Sequence, residues 1–207
     1  MKQFIFFIGL TCSYVMPYKY FQKWHFIKTF FYSGWISNQF KFCGKSPMIY
    51  PFRDLKGSRF ISIGDNVYLG KGITLAAWNK YNDEVYKPQV VIGNGCSIGD
   101  DSHITCINGI HIGNNVLTGK KVLITDNSHG EALLKYLDIE PLKRILYSKG
   151  PVIIGDNTWI GEKVSILPGV QIGRGCIIAA NSVVTKNIPS FSVAAGMPAI
   201  VIKNMNC

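Results

Sequence analysis

Two of the four histidines in this 207-residue chain are spaced for joint action. His111 and His129 lie eighteen residues apart, and His129 closes the segment Ile124-Thr-Asp-Asn-Ser-His before Gly130. A neutral imidazole titrating near about 6.5, oriented by a hydrogen-bond acceptor, suits proton abstraction at neutral pH. Asp126, three residues upstream, is the nearby carboxylate. A turn histidine satisfied by a backbone carbonyl is the plainer alternative for His129, and His111 either packs beneath it or shapes an acceptor pocket. His25 and His103 lie apart from this pair in the sequence. The cysteines, Cys12, Cys43, Cys96, Cys106, Cys176 and Cys207, form no C-x-x-C pair and no metal-finger spacing. They read as buried or incidental thiols in a reducing compartment.

The elements that must position these histidines follow from a six-residue period. Aliphatic or similar residues recur at Ile63, Leu69, Leu75; Ile92, Ile98, Ile104; Ile112, Thr118, Ile124; Ile154, Ile160, Ile166; and Ile172, Ile178, Val184. Nine of these fifteen positions are followed directly by glycine. A second small or apolar residue follows four positions later, as at Val67, Ile73, Cys96, Val116, Val122, Val164, Val170, Cys176 and Ile188. Short strands separated by tight turns explain the pattern, with Gly-Asp-Asn and Gly-Asn-Asn supplying turn residues that tolerate positive φ. Helical spacing is absent from 57 to 203, which excludes a helical solenoid there.

The pattern resembles the left-handed parallel β-helix family, whose triangular coils take three hexapeptides each, and grouping by three on that resemblance gives five coils, 63–80, 92–109, 112–129, 154–171 and 172–189. The interruptions at 81–91, 110–111 and 130–153 each follow a complete set of three, so all three leave from one corner of a triangular solenoid. Insertions in solenoids gather on the binding face. His111 and His129 fall at that corner and are expected to stack about 4.8 Å apart, one strand spacing. His103 is expected to point from a different corner. The excursion 130–153 reads as a short helix near Leu133–Leu137 and a turn near Pro141–Ile145.

The hexads resemble the left-handed parallel β-helix family over about 57–203, and the handedness comes from that resemblance. The runs Ile124-Thr-Asp-Asn-Ser-His129-Gly, Gly150-Pro-Val-Ile-Ile-Gly-Asp-Asn-Thr-Trp159-Ile-Gly-Glu162 and Ile166-Leu-Pro-Gly-Val-Gln-Ile-Gly are similar to the hexapeptide acyltransferases. They are similar to maltose and galactoside acetyltransferases and closer to sugar O-acetyltransferases of bacterial surface polysaccharide synthesis. The resemblance implies that His129 is the catalytic base, taking the acceptor hydroxyl proton as the oxygen attacks acetyl-CoA, without a cysteine nucleophile. It also implies a homotrimer with sites between subunits. Where galactoside-type enzymes have a serine after Trp-Ile-Gly, Glu162 stands here. An ionised carboxylate cannot donate to an oxyanion, so Glu162 either contacts the acceptor or is a solvated turn residue.

The C-terminal run Ile178-Ala-Ala-Asn-Ser-Val-Val-Thr-Lys186-Asn-Ile-Pro189 and its continuation to Lys203 match the same family. The resemblance assigns Ala180, Thr185, Lys186 and Lys203 to CoA contacts, with small side chains leaving room for the pantetheine arm. Lysines suit phosphates as point charges, though each is also an ordinary solvated charge. The resemblance makes Trp159 either a wall of the pantetheine tunnel or a subunit-contact aromatic, and places Gly161 with the cofactor contacts. Ile200 stands where relatives often carry an arginine. Arg144, in the excursion, either binds an anionic sugar group or packs. An N-acetyltransferase acting on an amino sugar remains an alternative. So does a zinc carbonic anhydrase of the same fold, which would need His103, His111 and His129 to converge; the acyltransferase reading requires no metal.

Composition bounds the rest. Hydrophobic residues at 47% and charged residues at 16% exclude a disordered chain. The net charge of +10 is concentrated: residues 1–56 hold eight of the basic side chains, one acid and 17 of the 26 aromatics. This extension is read as one unit and 57–203 as the catalytic β-helix. Segment 3–18 is uncharged but short of the ~20 residues a spanning helix needs, and no A-x-A cleavage site follows it. It is expected to be retained, interfacial or packed. Residues 18–35 predict an amphipathic helix ending near Gly34, with Tyr20, Trp24, Ile27, Phe31 and Trp35 in one stripe and Gln22, His25, Thr29 and Ser33 opposite. Lys19, Lys23 and Lys28 flank the stripe. The helix either caps the open end of the solenoid or makes peripheral contact with a membrane interface through residues 1–35. No nucleic-acid motif accompanies the charge. The expected location is the cytoplasm, free or at the inner face of the membrane.

Overall fold

The computed structural model describes residues 1–205, so Cys207 lies outside the described residues. Two helices come first, α1 over Lys2–Val15 and α2 over Tyr18–Ser37, broken at Met16 and Pro17. A residue before proline is pushed out of the helical region, and Met16 stands at φ −126° and ψ 82°. Helix α2 runs through Gly34, later than expected. Among the described residues no helix is long and apolar enough to cross a membrane.

The remainder is a parallel β-helix of three sheets. Sheet A has six strands, sheet B eight and sheet C six, and the chain visits A, B and C in turn. All fifteen hexad residues are buried, and so are the nine residues four positions after them. All but Thr118, a buried polar residue, belong to one continuous apolar core along the axis. A strand of two or three residues alternates faces, so each side of the triangle sends one aliphatic chain inward and its neighbours out.

The glycines serve coil stacking more than turn conformation. A Cβ at Gly113 would press on Asp156 Oδ1 and lie 2.8 Å from the Asp156 backbone nitrogen. Positive φ falls instead on the third turn residue, as at Asn66, Asn115 and Asn157. The second turn residue links coils: Asn114 N–H donates to Asp156 Oδ1 at 2.7 Å, and Asn94 N–H to Asn114 Oδ1 at 2.9 Å. That ladder continues to Asp65, whose N–H donates to Asn94 Oδ1 at 2.8 Å.

Two expectations change. The coils begin earlier than residue 57: Phe42–Cys43, Met48–Ile49 and Asp54–Lys56 pair in register with Ile61–Ile63, Tyr68–Leu69 and Thr74–Ala77. The five-coil count therefore omits a first row, and the helical extension ends near residue 41. The three excursions do leave from one corner, joining sheet C to sheet A, but each starts about three residues sooner. They run after Ala77, Cys106 and Thr125 and return at Gln89, Gly109 and Val152. Two third-side strands are four residues long and then depart, which shifts the break.

The second half of α2 covers the open end. Thr29, Ser33 and Ile36 are its buried residues, and Ser33 Oγ accepts from Ile49 N–H at 2.8 Å. Ile36 and Phe40 join the core. The cap is thus present, made by the polar side of the helix.

Candidate functional site

Two excursions meet over the outer face of sheet C. The first contains a hairpin of Lys80–Tyr81 with Glu84–Val85. The second leaves as Ser128–His129, pairs antiparallel with Leu146–Tyr147, and carries 3-10 turns at Leu134–Tyr136 and Pro141–Lys143 between them. The two are laced together. Tyr86 Oη accepts from Leu146 N–H at 2.9 Å and donates to Leu146 O at 3.1 Å. Tyr81 Oη donates to Leu142 O at 2.8 Å and Asn82 Nδ2 to the same carbonyl at 3.2 Å. Gly130 sits at φ +83°, where a Cβ would also press on Arg144 Cδ at 3.0 Å.

His129 projects from this lacing. Its Nδ1 lies 3.4 Å from Tyr81 Oη, and the two rings meet edge to face at 5.5 Å between centroids. A cavity of about 380 Å³ opens beside it, lined by Trp78, Tyr81, His103, Thr105, Leu123, Thr125, Asn127, Ser128, His129 and Leu146. Ser128 also lines a second cavity of about 520 Å³ with Glu131, Tyr147, Lys149, Pro168 and Thr185. The His129 hairpin therefore separates two hollows, one walled by aromatic and hydroxyl groups, the other holding a lysine. In the second, Glu131 beside Tyr147 holds that phenol above its ordinary range.

The predicted orienting carboxylate is not at the histidine. Asp126 is fully buried and accepts from the backbone N–H groups of Ile107 at 2.9 Å, Asn108 at 2.8 Å and Gly109 at 2.7 Å. Asn127 Nδ2 donates to it at 3.0 Å, and the Cys106 thiol at 3.2 Å. Burial, followed by this carboxylate, pushes the Cys106 thiol far up, so it is inert. Asp126 fastens the two-residue corner of one coil to the departure point of the next. Asn127, set by bonds to Thr105 O and Asp126, is what reaches the cavity.

Nor do the two histidines stack. His111 lies within sheet A, and its register partners are Val91 and Ile153. The residue one row beyond His111 is Ile153 because the chain leaves the coil at Asp126 before completing it. His103, expected at another corner, lines the His129 cavity instead. Its outward position on sheet C was hidden by counting hexads to their ends. His103 is exposed at the cavity mouth, and partial desolvation there pushes it below its ordinary value, with Asp54 opposing part of the shift. The three histidines of the zinc alternative are thus split between two sheet faces. Among the described residues, no three His, Cys, Asp or Glu groups are placed to hold a metal ion.

The other candidates fall in separate places. Thr185 lies in the second cavity. Arg144 is committed to the excursion, its Nε donating to Ile139 O at 2.8 Å. Trp159 is half exposed on sheet B between Leu117 and Ile177. Gly161 fits because a Cβ there would meet Ala180 N at 2.5 Å. Glu162 lies 3.9 Å from Lys163 in an exposed pair. Ala180 and Lys186 are exposed at turns, and Lys203 pairs with Val193 in the last strand. Sequence reasoning missed Trp78, Tyr81, Tyr86, Lys149 and Asn127. The cluster Trp78-Asn-Lys-Tyr81 at an insertion was the available signal for the first two.

Comparison with known proteins bears on this geometry. The bacterial transferase hexapeptide (six repeats) model matches residues 151–186, and the hexapeptide repeat of succinyl-transferase matches 89–119. WbbJ of Escherichia coli (strain K12), named for lipopolysaccharide biosynthesis O-acetyl transfer, is 37% identical over 152 residues, covering 70% of this chain and 72% of WbbJ. The acetyltransferase-named Rv3034c of Mycobacterium tuberculosis (strain ATCC 25618 / H37Rv) is 36% identical over 154 residues, 67% of this chain and 50% of that protein. The chain therefore spans only about half of that second relative. Among solved structures, a mutant of AntD, an N-acyltransferase from Bacillus cereus, in complex with dTDP and coenzyme A, superposes with a TM-score of 0.63 at 20% identity. It covers 80% of this chain and 84% of AntD. The acetyl-CoA complex of VCA0836 from Vibrio cholerae O1 biovar eltor gives 0.51 at 22% identity, over 81% and 73%. These two show the fold, the left-handed β-helix. With repeat, core and relatives in agreement, the chain belongs to the hexapeptide-repeat acyltransferases.

Proposed function

We propose that this chain is an acetyl-CoA-dependent O-acetyltransferase acting on a sugar hydroxyl in surface polysaccharide or lipopolysaccharide assembly, with His129 as general base. The observation that carries this reading is the position of His129 at the wall between two hollows, faced by Tyr81. The Tyr81 hydroxyl has one proton and places it on Leu142 O. Toward His129 it therefore presents a lone pair, which favours the tautomer protonated at Nδ1 and leaves Nε2 free to take a proton. The 3.4 Å separation is long, as such contacts are before substrate draws them in.

In the reaction, Nε2 accepts the acceptor hydroxyl proton as that oxygen attacks the thioester carbonyl. The tetrahedral intermediate then collapses, the C–S bond breaks, and the imidazolium returns its proton to the departing CoA thiolate. The first cavity suits a sugar: Trp78 and Tyr81 offer apolar faces, and Thr105, Thr125, Asn127 and His103 offer hydrogen bonds. The second suits the donor arm, with Thr185 and Lys149. WbbJ is named for the same transfer in lipopolysaccharide synthesis, which supports the acceptor class.

Trp159, Glu162, Ala180, Lys186 and Lys203 support a site completed by another copy. Trp159 and Lys203 belong to sheet B, whereas the His129 cavity lies on sheet C. We infer a homotrimer whose CoA channel takes His129 from one subunit and Trp159 with Ala180 from the next. The direct test is transfer from labelled acetyl-CoA to a panel of free, nucleotide-linked and lipid-linked sugars, with amino sugars alongside. His129→Ala should lower kcat by about 10²–10⁴ while acetyl-CoA still binds. Turnover close to that of the unaltered chain would remove the assignment, and transfer confined to amines would replace O- by N-acetylation.

A further inference from the structure

The helix that caps the solenoid is turned the wrong way round for a soluble protein. Its buried residues are Thr29, Ser33 and Ile36, and its hydroxyl face is satisfied by backbone: Ser33 Oγ donates to Thr29 O at 2.7 Å and accepts from Ile49 N–H. Its aromatic stripe points away, with Trp24 54%, Ile27 57%, Phe31 77% and Trp35 62% exposed. Phe26 and Phe30, outside that stripe, are exposed as well. Helix α1 buries nothing at all. Phe4, Ile5, Phe6, Phe7, Ile8 and Leu10 are exposed around its circumference. Even its hydroxyls turn inward, Thr11 Oγ1 to Phe7 O at 2.9 Å and Ser13 Oγ to Leu10 O at 2.7 Å. A helix apolar on every side is covered on every side, and a contiguous apolar surface this large marks an interaction site.

The charge says what covers it. Residues 1–53 contain Lys2, Lys19, Lys23, Lys28, Lys41, Lys45 and Arg53 and no acid. Lys19 and Lys28 lie over the rings of Tyr20 and Trp24 at 5.1 and 5.2 Å, stems along the apolar face and heads at its edge. At the base of α2 a cavity of about 420 Å³ is lined by His25, Lys28, Thr29, Tyr32, Tyr50, Pro51 and Lys71, again without an acid. A second protein surface would bring carboxylates to lie among these lysines or hydrocarbon to cover the rings, whereas an anionic bilayer brings both a charged and an apolar layer in the same order. The lengths fit lying rather than crossing. Fourteen residues of α1 extend about 21 Å against a hydrocarbon core of about 30 Å, and the twenty of α2 carry three lysines.

We propose that α1 and the outer face of α2 seat this chain on an anionic phospholipid surface, α1 sunk among the acyl chains, α2 in the headgroup plane, and the cavity between Lys28 and Lys71 holding lipid phosphate. The cap and the membrane contact are then two faces of one helix. This goes beyond the acyl-transfer reading and stands or falls separately from it.

The test uses the full chain with sucrose-loaded vesicles of phosphatidylcholine alone and of phosphatidylcholine with phosphatidylglycerol. Binding should be at least about tenfold stronger to the anionic vesicles and should weaken between ~0.05 M and ~0.5 M salt. Chain-brominated lipid should quench Trp24 and Trp35, observed in a variant with Trp78 and Trp159 replaced by Phe. Phe6→Asp with Phe7→Asp, at positions that pack on nothing, should abolish sedimentation while leaving the far-ultraviolet circular dichroism and thermal transition of the β-helix in place. Protein that stays in the supernatant with both vesicle types overturns the proposal. So does an oligomer that the same double variant dissociates while Trp24 remains unquenched, since a second copy would then be the occupant.

Discussion

The proposed role of His129 turns on which nitrogen of its imidazole is free, and the group facing Nδ1 is a tyrosine forty-eight residues away. Replacing Tyr81 by phenylalanine keeps the ring against His129 but removes the lone pair facing Nδ1 and the bond to Leu142 O. The expected loss is about tenfold in kcat with KM for acetyl-CoA little changed, the pattern of a group that acts through the base rather than on the donor. Equal falls in affinity and rate would mean that Tyr81 only holds the loop. His103 gives a second residue-scale signature. Partial desolvation lowers its folded value beneath the ordinary one of about 6.5. Below that ordinary value the unfolded chain therefore binds the proton more readily than the folded chain. Its contribution to stability is complete above the ordinary value and is lost as pH falls from there to the lowered one. The fall in Tm from pH 7.5 to pH 5 should be smaller in His103→Gln than in the unaltered chain; equal falls would show that His103 is not desolvated in solution.

At the scale of elements, Asp126 has the largest structural part in the site while lining neither hollow. Three N–H groups of the corner 107–109 converge on it, those of Ile107 and Gly109 buried, and its neighbours Asn127, Ser128 and His129 form the departing edge. In Asp126→Asn an amide NH2 would face either the Ile107 N–H or those of Asn108 and Gly109. The cost should be about 3 kcal/mol, read as a fall in Tm of roughly 6–12 °C for a chain of this length. An unchanged Tm would contradict the pinned corner. The same residue explains how far the sequence could be read. The core was legible because every hexad residue has to fill a narrow triangular interior, and all fifteen do. The common corner was legible because insertions are countable. The meeting of His129 with Tyr81 was not, since two loops folding across a face leave no period in the sequence. The first row was missed although Cys43, Ile49 and Leu55 step by six, because Lys45-Ser46 and Pro51-Phe52 replace the Gly-Asp-Asn turn. The stripe of α2 was found, yet its orientation was open: an aromatic face and a Ser/Thr face are both able to pack, and Ser33 settles the matter by binding Ile49.

At the scale of the whole molecule, the separation of the candidate residues becomes a prediction about assembly. His129 belongs to the hollows over sheet C, whereas Trp159 is on sheet B and Ala180 at the turn after it. If each site is shared, two inactive variants with lesions on opposite halves must complement. His129→Ala removes the proposed base. Ala180→Asp is suited to the other half, because Asp65 occupies the corresponding second position of its own turn, so the change respects local geometry while putting a carboxylate where the CoA arm would pass. Unfolding together and refolding a one-to-one mixture should give particles of three times the 23.1 kDa chain and about a quarter of full activity, since each interface draws its two halves independently. Each variant refolded alone should be inactive. Failure of the mixture to regain activity, with trimers present by sedimentation, would place both halves of the site within a single chain, and a fully active monomer would remove the shared site altogether.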